Sequence, residues 1–379
     1  MKGLFEAEHE DFRATARAFF DKEVVPHHAQ WEAEGIVPRE LWRKAGEAGL
    51  LCFDVPEEYG GPGIDDFRFN VVLSQEQTRA GASGPGFSVH TDIIVPYLSS
   101  LATDEQKRRW LPGCVSGEII TAIAMTEPGA GSDLQGVRTS AVDAGDHYVL
   151  NGSKTFISNG INADLVIVVA RTDPDAGHQG ISLLVVERGM PGFERGRNLD
   201  KVGLHAQDTA ELSFTDVRVP KENLLGEEGQ GFIYLMMNLP QERLIIGAQA
   251  VAAAEGVLEL CLDYAKQRQA FGRPIGKFQH NRFLLAEMAT EVRVAQSFLE
   301  DCLRRHLAGE LTVVDAAMIK WWATELQNKL VSQGVQLHGG YGYMMEYPIA
   351  KAFVDSRIST IYGGTTEIQK EIIGRSLGI

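Results

Sequence analysis

One carboxylate in this 379-residue chain stands where a general base could work. Glu242 lies in Leu239-Pro240-Gln241-Glu242-Arg243, at the head of an apolar-periodic stretch that runs to about Arg268. Buried there, a carboxylate gains proton affinity, because a low dielectric disfavours its charged form. Removal of a proton from carbon calls for such a base. From these five residues alone, a solvated glutamate paired with Arg243 is the simpler reading.

Glycine-rich stretches supply the other candidates. Thr126-Glu127-Pro128-Gly129-Ala130-Gly131-Ser132-Asp133 follows a β-branched run ending at Met125. Its exposed N–H groups and hydroxyls could hold a pyrophosphate or a ring edge, although any strand-end turn has a similar composition. It is not G-x-G-x-x-G and no βαβ unit surrounds it, so a Rossmann site is not expected. Arg268-Gln269-Ala270-Phe271-Gly272 reads as a helix end with a glycine stop, or as a phosphate-binding Arg beside a stacking Phe. Gln336-Leu337-His338-Gly339-Gly340-Tyr341-Gly342-Tyr343 has more glycine than a helix cap requires, which suggests close backbone approach to a ligand or another chain. Tyr362-Gly363-Gly364-Thr365-Thr366-Glu367-Ile368 opens the last helix, whose free N–H groups suit an anion. Ser83-Gly84-Pro85-Gly86-Phe87-Ser88 is a surface turn or a pocket floor.

The elements that position these residues follow from periodicity. Residues 1–118 read as helical: Phe12, Ala16, Phe19, Phe20 and Val24 recur at helical spacing up to Pro26, further helices span about 38–49 and 67–80, and Thr103 opens another with a capping box. From Ile119 the period becomes two. Strands are expected at 119–125, 164–170, 180–186 and 210–219, with His147–Lys154 as a hairpin turning at Asn151-Gly152. With no helix between them, these strands predict a small barrel or sandwich over 119–228. Residues 229–379 carry long helices at about 230–268, 276–307 and 312–338 and a shorter one from 365, which predicts a four-helix bundle. The fold class is thus mostly α with a central β domain.

Composition narrows the partners. Net charge is -15 with no Lys/Arg-rich run, so neither nucleic acid nor an anionic membrane surface is an expected partner. Cys52, Cys114, Cys261 and Cys302 have neither metal nor disulfide spacing and read as reduced core residues. The start Met1-Lys2-Gly3-Leu4 carries no leader pattern, and no apolar run is expected to span a bilayer. The expectation is a bacterial cytoplasmic protein; a processed mitochondrial chain would look the same.

The order of T-E-P-G-A-G-S-D, R-Q-A-F-G, Q-L-H-G-G-Y-G-Y and Y-G-G-T-T-E-I resembles the acyl-CoA dehydrogenase family across essentially the whole chain. L-P-Q-E-R-L at 239–244 and S-G-P-G-F-S at 83–88 most resemble its long-chain members. The resemblance implies FAD, a homotetramer built as a dimer of dimers, an acyl-CoA substrate and an electron-transfer flavoprotein as acceptor. It implies that Met125, Thr126, Gly131, Ser132, Phe156 and Ser158 hold the flavin ring. Relatives often carry Trp and Thr at the last two positions. Arg268, Phe271, Gln279, Gln336, Gly339 and Gly340 would bind the pyrophosphate and adenosine of a neighbouring subunit's FAD, and Thr365 and Glu367 would complete the site. Ser132, Arg243, Gly363 and Gly364 would face the substrate. No metal is implied.

One departure is informative. Many family members have Tyr-Glu-Gly-Thr where this chain has Tyr362-Gly363-Gly364-Thr365, and that Glu is their base. Long-chain and isovaleryl-type relatives place the base at a position matching Glu242. The resemblance therefore implies dehydrogenation of a long-chain acyl-CoA to the trans-2-enoyl-CoA, with Glu242 as the α-proton base. The alternatives are an isovaleryl or other short branched substrate, a flavin oxidase or monooxygenase on the same scaffold, and a binder without a base.

Overall fold

Capped helices, a layer of strands and then long apolar helices succeed one another along the chain. The structure, a computed structural model, describes residues 4–379; Met1, Lys2 and Gly3, where the leader was expected to be absent, lie outside the described residues. The first helices are α1 (Ala7–Phe19), α2 (His28–Glu34), α3 (Arg39–Glu47), α4 (Arg68–Arg79), α5 (Val95–Leu101) and α6 (Asp104–Ser116). A π-helical turn, Phe20–Val24, extends α1 as far as the expected stop, and a second, Val89–Ile94, leads into α5. At α6 the Thr103 hydroxyl accepts from the Gln106 N–H while the Gln106 side chain accepts from the Thr103 N–H, the expected capping box. Sequence periodicity missed α2 and α5, each of seven residues and too short to show a repeat.

The strands are β1 (Thr121–Ala124), β2 (Ser140–Asp143), β3 (His147–Ser158), β4 (Leu165–Arg171), β5 (Ile181–Glu187), β6 (Phe193–Asn198), β7 (Thr209–Pro220) and β8 (Leu224–Leu225). They form one sheet in the order β6-β7-β3-β2-β4-β5-β8, with β1 parallel to β4. β4 is apolar without alternation because both of its faces are covered. Leu165, Ile167 and Val169 pack with the N-terminal helices, while Val166, Val168 and Ala170 face the interior of the strand layer.

The hairpin expected at Asn151-Gly152 is absent. β3 runs unbroken through that dipeptide, pairing with β7 along its length, and the ladder bulges between Leu150 and Gly152. Gly152 is needed for close approach: a Cβ there would sit 2.5 Å from Thr139 Oγ1. The same dipeptide that favours a tight turn also suits a bulge inside a strand.

The remaining elements are α7 (Gly231–Gln267), β9 (Gln269–Ala270), β10 (Arg273–Pro274), α8 (Gln279–Leu307), α9 (Val313–His338), α10 (Pro348–Ser356) and α11 (Thr366–Ser376). α9 packs against α7, α8, α10 and α11, so the expected bundle gains one short helix. Contrary to expectation, α7 is long and apolar enough to cross a membrane. Here it is a core helix. Leu244, Ile245, Ala248, Val251 and Ala254 are buried, and α4, α8 and α9 pack against it.

Candidate active site

Glu242 and Arg243 sit just after Pro240 within α7, on the part of that helix facing α5. Glu242 is 5% exposed. Tyr97 of α5, fully buried, donates its hydroxyl hydrogen to Glu242 Oε1 at 2.8 Å. Burial pushes the Glu242 carboxyl up to about 7, against the lowering influence of the Tyr97 hydrogen bond and the neighbouring Arg243 charge. A carboxylate held near neutrality is matched to proton abstraction at physiological pH.

The π-helical turn 89–94 and its partners aim Tyr97. Gln241 Nε2 donates to the Asp92 carbonyl at 3.0 Å, so α7 grips this segment one residue before Glu242. Asn70 of α4 donates to the Asp92 carboxyl at 2.7 Å, and burial raises that carboxyl to about 7. His90 Nε2 donates to the Cys114 carbonyl at 3.0 Å, while its Nδ1 accepts from the Thr121 N–H at the start of β1 at 3.2 Å. Burial keeps His90 neutral, with its pKa lowered to about 4. The segment that carries Tyr97 is thus tied to α4, α6, α7 and β1.

Gly363 and Gly364 adjoin this base. Their φ values are 63° and 91°, a region L side chains rarely occupy. A Cβ on Gly363 would meet Ile246 Cδ1, one turn beyond Glu242 on α7, at 2.5 Å, and one on Gly364 would lie 3.9 Å from Arg243 Nη2. The structure therefore brings Glu242, Arg243, Gly363 and Gly364 together. Arg243 is buried, and among the described residues it makes no hydrogen bond or ion pair; its Nε has no partner.

A second group gathers where β1 ends. The buried Lys154 ammonium donates to the Met125 carbonyl at 3.0 Å and to Glu127 Oε1 at 2.9 Å, one on each side of Thr126. Glu127 also accepts from the N–H groups of Arg138 and Thr139. Burial lowers Lys154 to about 8 despite Glu127. Gly131 faces open space, since a Cβ there meets nothing within 4 Å, and Ser132 is exposed. Phe156 has φ 60° where β3 bulges against β7 between Lys154 and Ile157, and it is 69% exposed. A large apolar side chain held outward on a strained backbone is an outlier that points to a function. Ser158 follows, half-buried, at the end of β3.

A third group lies beyond the other end of α7. Arg268 caps α7, and Phe271 and Gly272, both with positive φ, turn between β9 and β10; Phe271 is 96% exposed. Arg268, Gly339 and Gly340 border a cleft of about 510 Å³ with Tyr264, His338 and Tyr341. Tyr264 stacks on His338 at 4.0 Å, and neither Gly339 nor Gly340 has a neighbour within 4 Å of a Cβ position. Gln279 and Gln336 are exposed near the starts of α8 and the end of α9 and do not line that cleft. Thr365 N-caps α11 by accepting from the Ile368 N–H, and Glu367 is exposed in its first turn.

At both glycines of Ser83–Ser88 the space a side chain would take is already filled. A Cβ on Gly84 would lie 2.6 Å from Ala206 Cβ, and one on Gly86 would collide with the Asn159 amide. Close packing of the helices on the strand layer accounts for both. Sequence reasoning also missed Tyr97, Lys154 and Lys320. Lysines at such positions read as solvated, and nothing local marks a tyrosine whose partner lies 145 residues away.

Known proteins resemble this chain over its whole length. It matches the N-terminal, middle and C-terminal domains of acyl-CoA dehydrogenase at residues 6–118, 122–217 and 229–378. It is 51% identical over 379 residues to the long-chain specific acyl-CoA dehydrogenase, mitochondrial, of Sus scrofa, covering all of this chain and 88% of that one. The solved acyl-CoA dehydrogenase of Geobacillus kaustophilus superposes with a TM-score of 0.97 at 53% identity, over 99% of each chain. The butyryl-CoA dehydrogenase of Megasphaera elsdenii gives 0.94 at 36% identity over all of both chains. With matches to all three of its domains and a relative this similar at full length, the chain belongs to the acyl-CoA dehydrogenase family of oxidoreductases.

Proposed function

We propose that this chain removes hydrogen from Cα and Cβ of a long-chain acyl-CoA, giving the trans-2-enoyl-CoA, with Glu242 as the α-proton base. One observation carries the reading. The only carboxylate that the structure buries beside the Gly363–Gly364 turn, among the described residues, is Glu242, one helical turn from the isoleucine that turn touches. The α-proton of a saturated thioester is too weakly acidic for a carboxylate unless the developing enolate is stabilised. Gly363 retains a backbone N–H for the thioester oxygen, and Arg243 stands by as an unpaired cation for the ligand. Glu242, held by Tyr97, takes the proton.

FAD fits the residues present. Thr126, Gly131 and Ser132 form an open loop clamped by the Lys154–Glu127 pair, with Met125 at its root. Phe156 projects where a planar ring could stack, with Ser158 beside it. When bound, FAD supplies the acceptor for the β-hydrogen. The Arg268 group lies 26 residues along α7 from Glu242, about 39 Å at 1.5 Å per residue, so it stands well away from the base. That separation supports assigning Arg268, Phe271, Gln279, Gln336, Gly339 and Gly340 to a neighbouring subunit's FAD, within a homotetramer. Thr365 and Glu367 would complete the site at the start of α11. An electron-transfer flavoprotein is the proposed acceptor, and 1–118, 119–228 and 229–379 are the proposed domains.

The long-chain assignment is supported by the relative from Sus scrofa. Anaerobic bleaching of the flavin across straight-chain acyl-CoAs and isovaleryl-CoA tests it. Palmitoyl-CoA should reduce the flavin fastest; faster reduction by isovaleryl-CoA would sink the long-chain claim. Failure of every acyl-CoA to bleach the flavin would sink the activity itself.

A further inference from the structure

Lys320 is a buried cation that the reaction above does not use. It lies on α9 with its side chain 0% exposed. Its Nζ donates to the Gly364 carbonyl at 2.8 Å, and among the described residues no carboxylate lies within ion-pair distance. An isolated ammonium in such a place loses its hydration without gaining an ion pair, so its presence calls for an explanation. Gln369 of α11 completes the arrangement by donating to the carbonyls of Gly363 at 3.0 Å and Gly364 at 2.9 Å. These bonds fix the two peptide planes that follow Gly363. A trans peptide carries its N–H opposite its carbonyl, so the N–H groups of Gly364 and Thr365 face away from Lys320 and Gln369. The N–H groups of Gly363 and Gly364 have no acceptor among the described residues. A Cβ on Gly363 would meet Ile246 Cδ1 of α7, one turn from Glu242, at 2.5 Å and Lys320 Cε at 4.0 Å, so the turn is held between these two side chains.

We propose that Lys320 is a positioning residue for α-proton transfer: together with Gln369 it holds the Gly363–Gly364 turn, whose own N–H groups are free for the thioester oxygen, and it puts a positive charge beside that turn. The inference rests on Glu242 being the base. In the step concerned, the C–H bond at Cα breaks and its proton goes to Glu242. The electron pair moves into the thioester carbonyl, and the oxygen gains the charge that the turn and the ammonium stabilise. The charged groups that face Lys320 are Arg243 on α7, Glu325 on α9 and Glu367 on α11. Burial and Arg243 lower the Lys320 pKa to about 8, opposed by the two glutamates.

The test isolates proton transfer in the FAD-loaded enzyme. A 3-thia acyl-CoA, with sulfur in place of the β-carbon, cannot be dehydrogenated, yet its α-protons still exchange with D2O through Glu242, which mass spectrometry follows. Lys320→Met should slow exchange by about 10- to 100-fold, the range expected for losing oxyanion stabilisation, while the dissociation constant of the analogue stays within about threefold. Lys320→Gln, which keeps a donor without the charge, should fall between. Exchange in Lys320→Met within about threefold of wild type would overturn the proposal. If neither variant folds, the wild-type exchange rate decides: it should fall as pH rises through about 8 and the ammonium discharges, and a rate that stays level there overturns it. Glu242→Gln, measured alongside, should abolish exchange. If it does not, the base assignment fails, and the Lys320 variants are still judged against wild type.

Discussion

Tyr97 and Glu242, 145 residues apart, meet through one hydrogen bond of 2.8 Å between α5 and α7. The tyrosine hydroxyl favours the charged carboxylate, while burial favours the neutral acid. Their balance sets the pH at which the base becomes available. In Tyr97→Phe the donor is gone and only the Arg243 charge still opposes burial, so the Glu242 pKa rises. A hydrogen bond to a charged group is worth about 1.5–3 kcal/mol, or about one to two pH units. The acid limb of kcat/KM, expected near pH 7 in the wild type, should move up by about that amount. A limb that stays in place would show that Tyr97 does not tune the base.

Glu242→Gln separates catalysis from stability. Turnover should drop by about 10³-fold or more, with FAD and acyl-CoA binding retained. The stability effect has the opposite sign. The folded pKa is about 7 and the ordinary value 4.5, so the native state holds a proton that the unfolded chain has released between those pH values. Stability from this group is complete below the unfolded value and is lost as pH rises through about 7. The loss is on the order of 3 kcal/mol. Melting curves should show a Tm advantage for Glu242→Gln that grows from about pH 5 to pH 8. An advantage independent of pH would place the carboxyl outside a low-dielectric site.

What the sequence revealed about this site depended on motifs with a chain-wide order. Gly363 mattered only beside Glu242, and the structure brings the two together through Ile246. Periodicity was enough for α7, α8 and α9, each at least 26 residues long, and for β4 and β7. It failed where one local signal has two physical outcomes. Asn151-Gly152 served a bulge instead of a turn, and Gly84 and Gly86 allow close packing that their composition alone does not reveal. Lys154 and Lys320 were invisible because their value lies in which carbonyl each one reaches, and spacing carries no record of that.

Gly86→Ala tests the packing account of that loop. The added methyl meets the Asn159 amide, which is itself held by donating to the carbonyls of Gly86 and Thr121. Overpacking of this kind costs about 1–3 kcal/mol, so Tm should fall. The order of preference among acyl chain lengths should not change. A shift toward shorter chains would restore the loop as the pocket floor.

Gly363→Ala and Ile246→Val form a pair with a definite sign. Alanine at φ 63° carries backbone strain of roughly 1–3 kcal/mol, and its Cβ also strikes Ile246 Cδ1. Ile246→Val deletes that atom. The double variant should therefore recover part of what Gly363→Ala loses, both in Tm and in kcat. A double-mutant cycle should give a coupling of about 0.5 kcal/mol or more. Strict additivity would mean that the turn and α7 do not touch in solution.

Phe156 offers the last test, because its backbone and its ring make opposite demands. The residue sits at φ 60° in a bulge, which glycine tolerates without strain, yet the ring is 69% exposed and gains little from packing within the chain. In protein stripped of FAD, Phe156→Gly should leave the melting temperature nearly unchanged, since relief of strain offsets the greater freedom of glycine in the unfolded chain. Reconstitution should tell a different story. If the strain is maintained to present the ring to the flavin, loss of stacking weakens FAD binding by about tenfold or more, ~1.4 kcal/mol. Fluorescence titration of the apoprotein with FAD reads this directly. An unchanged dissociation constant would leave the outlier without a cofactor role, and a large fall in apoprotein stability would show that the ring is structural.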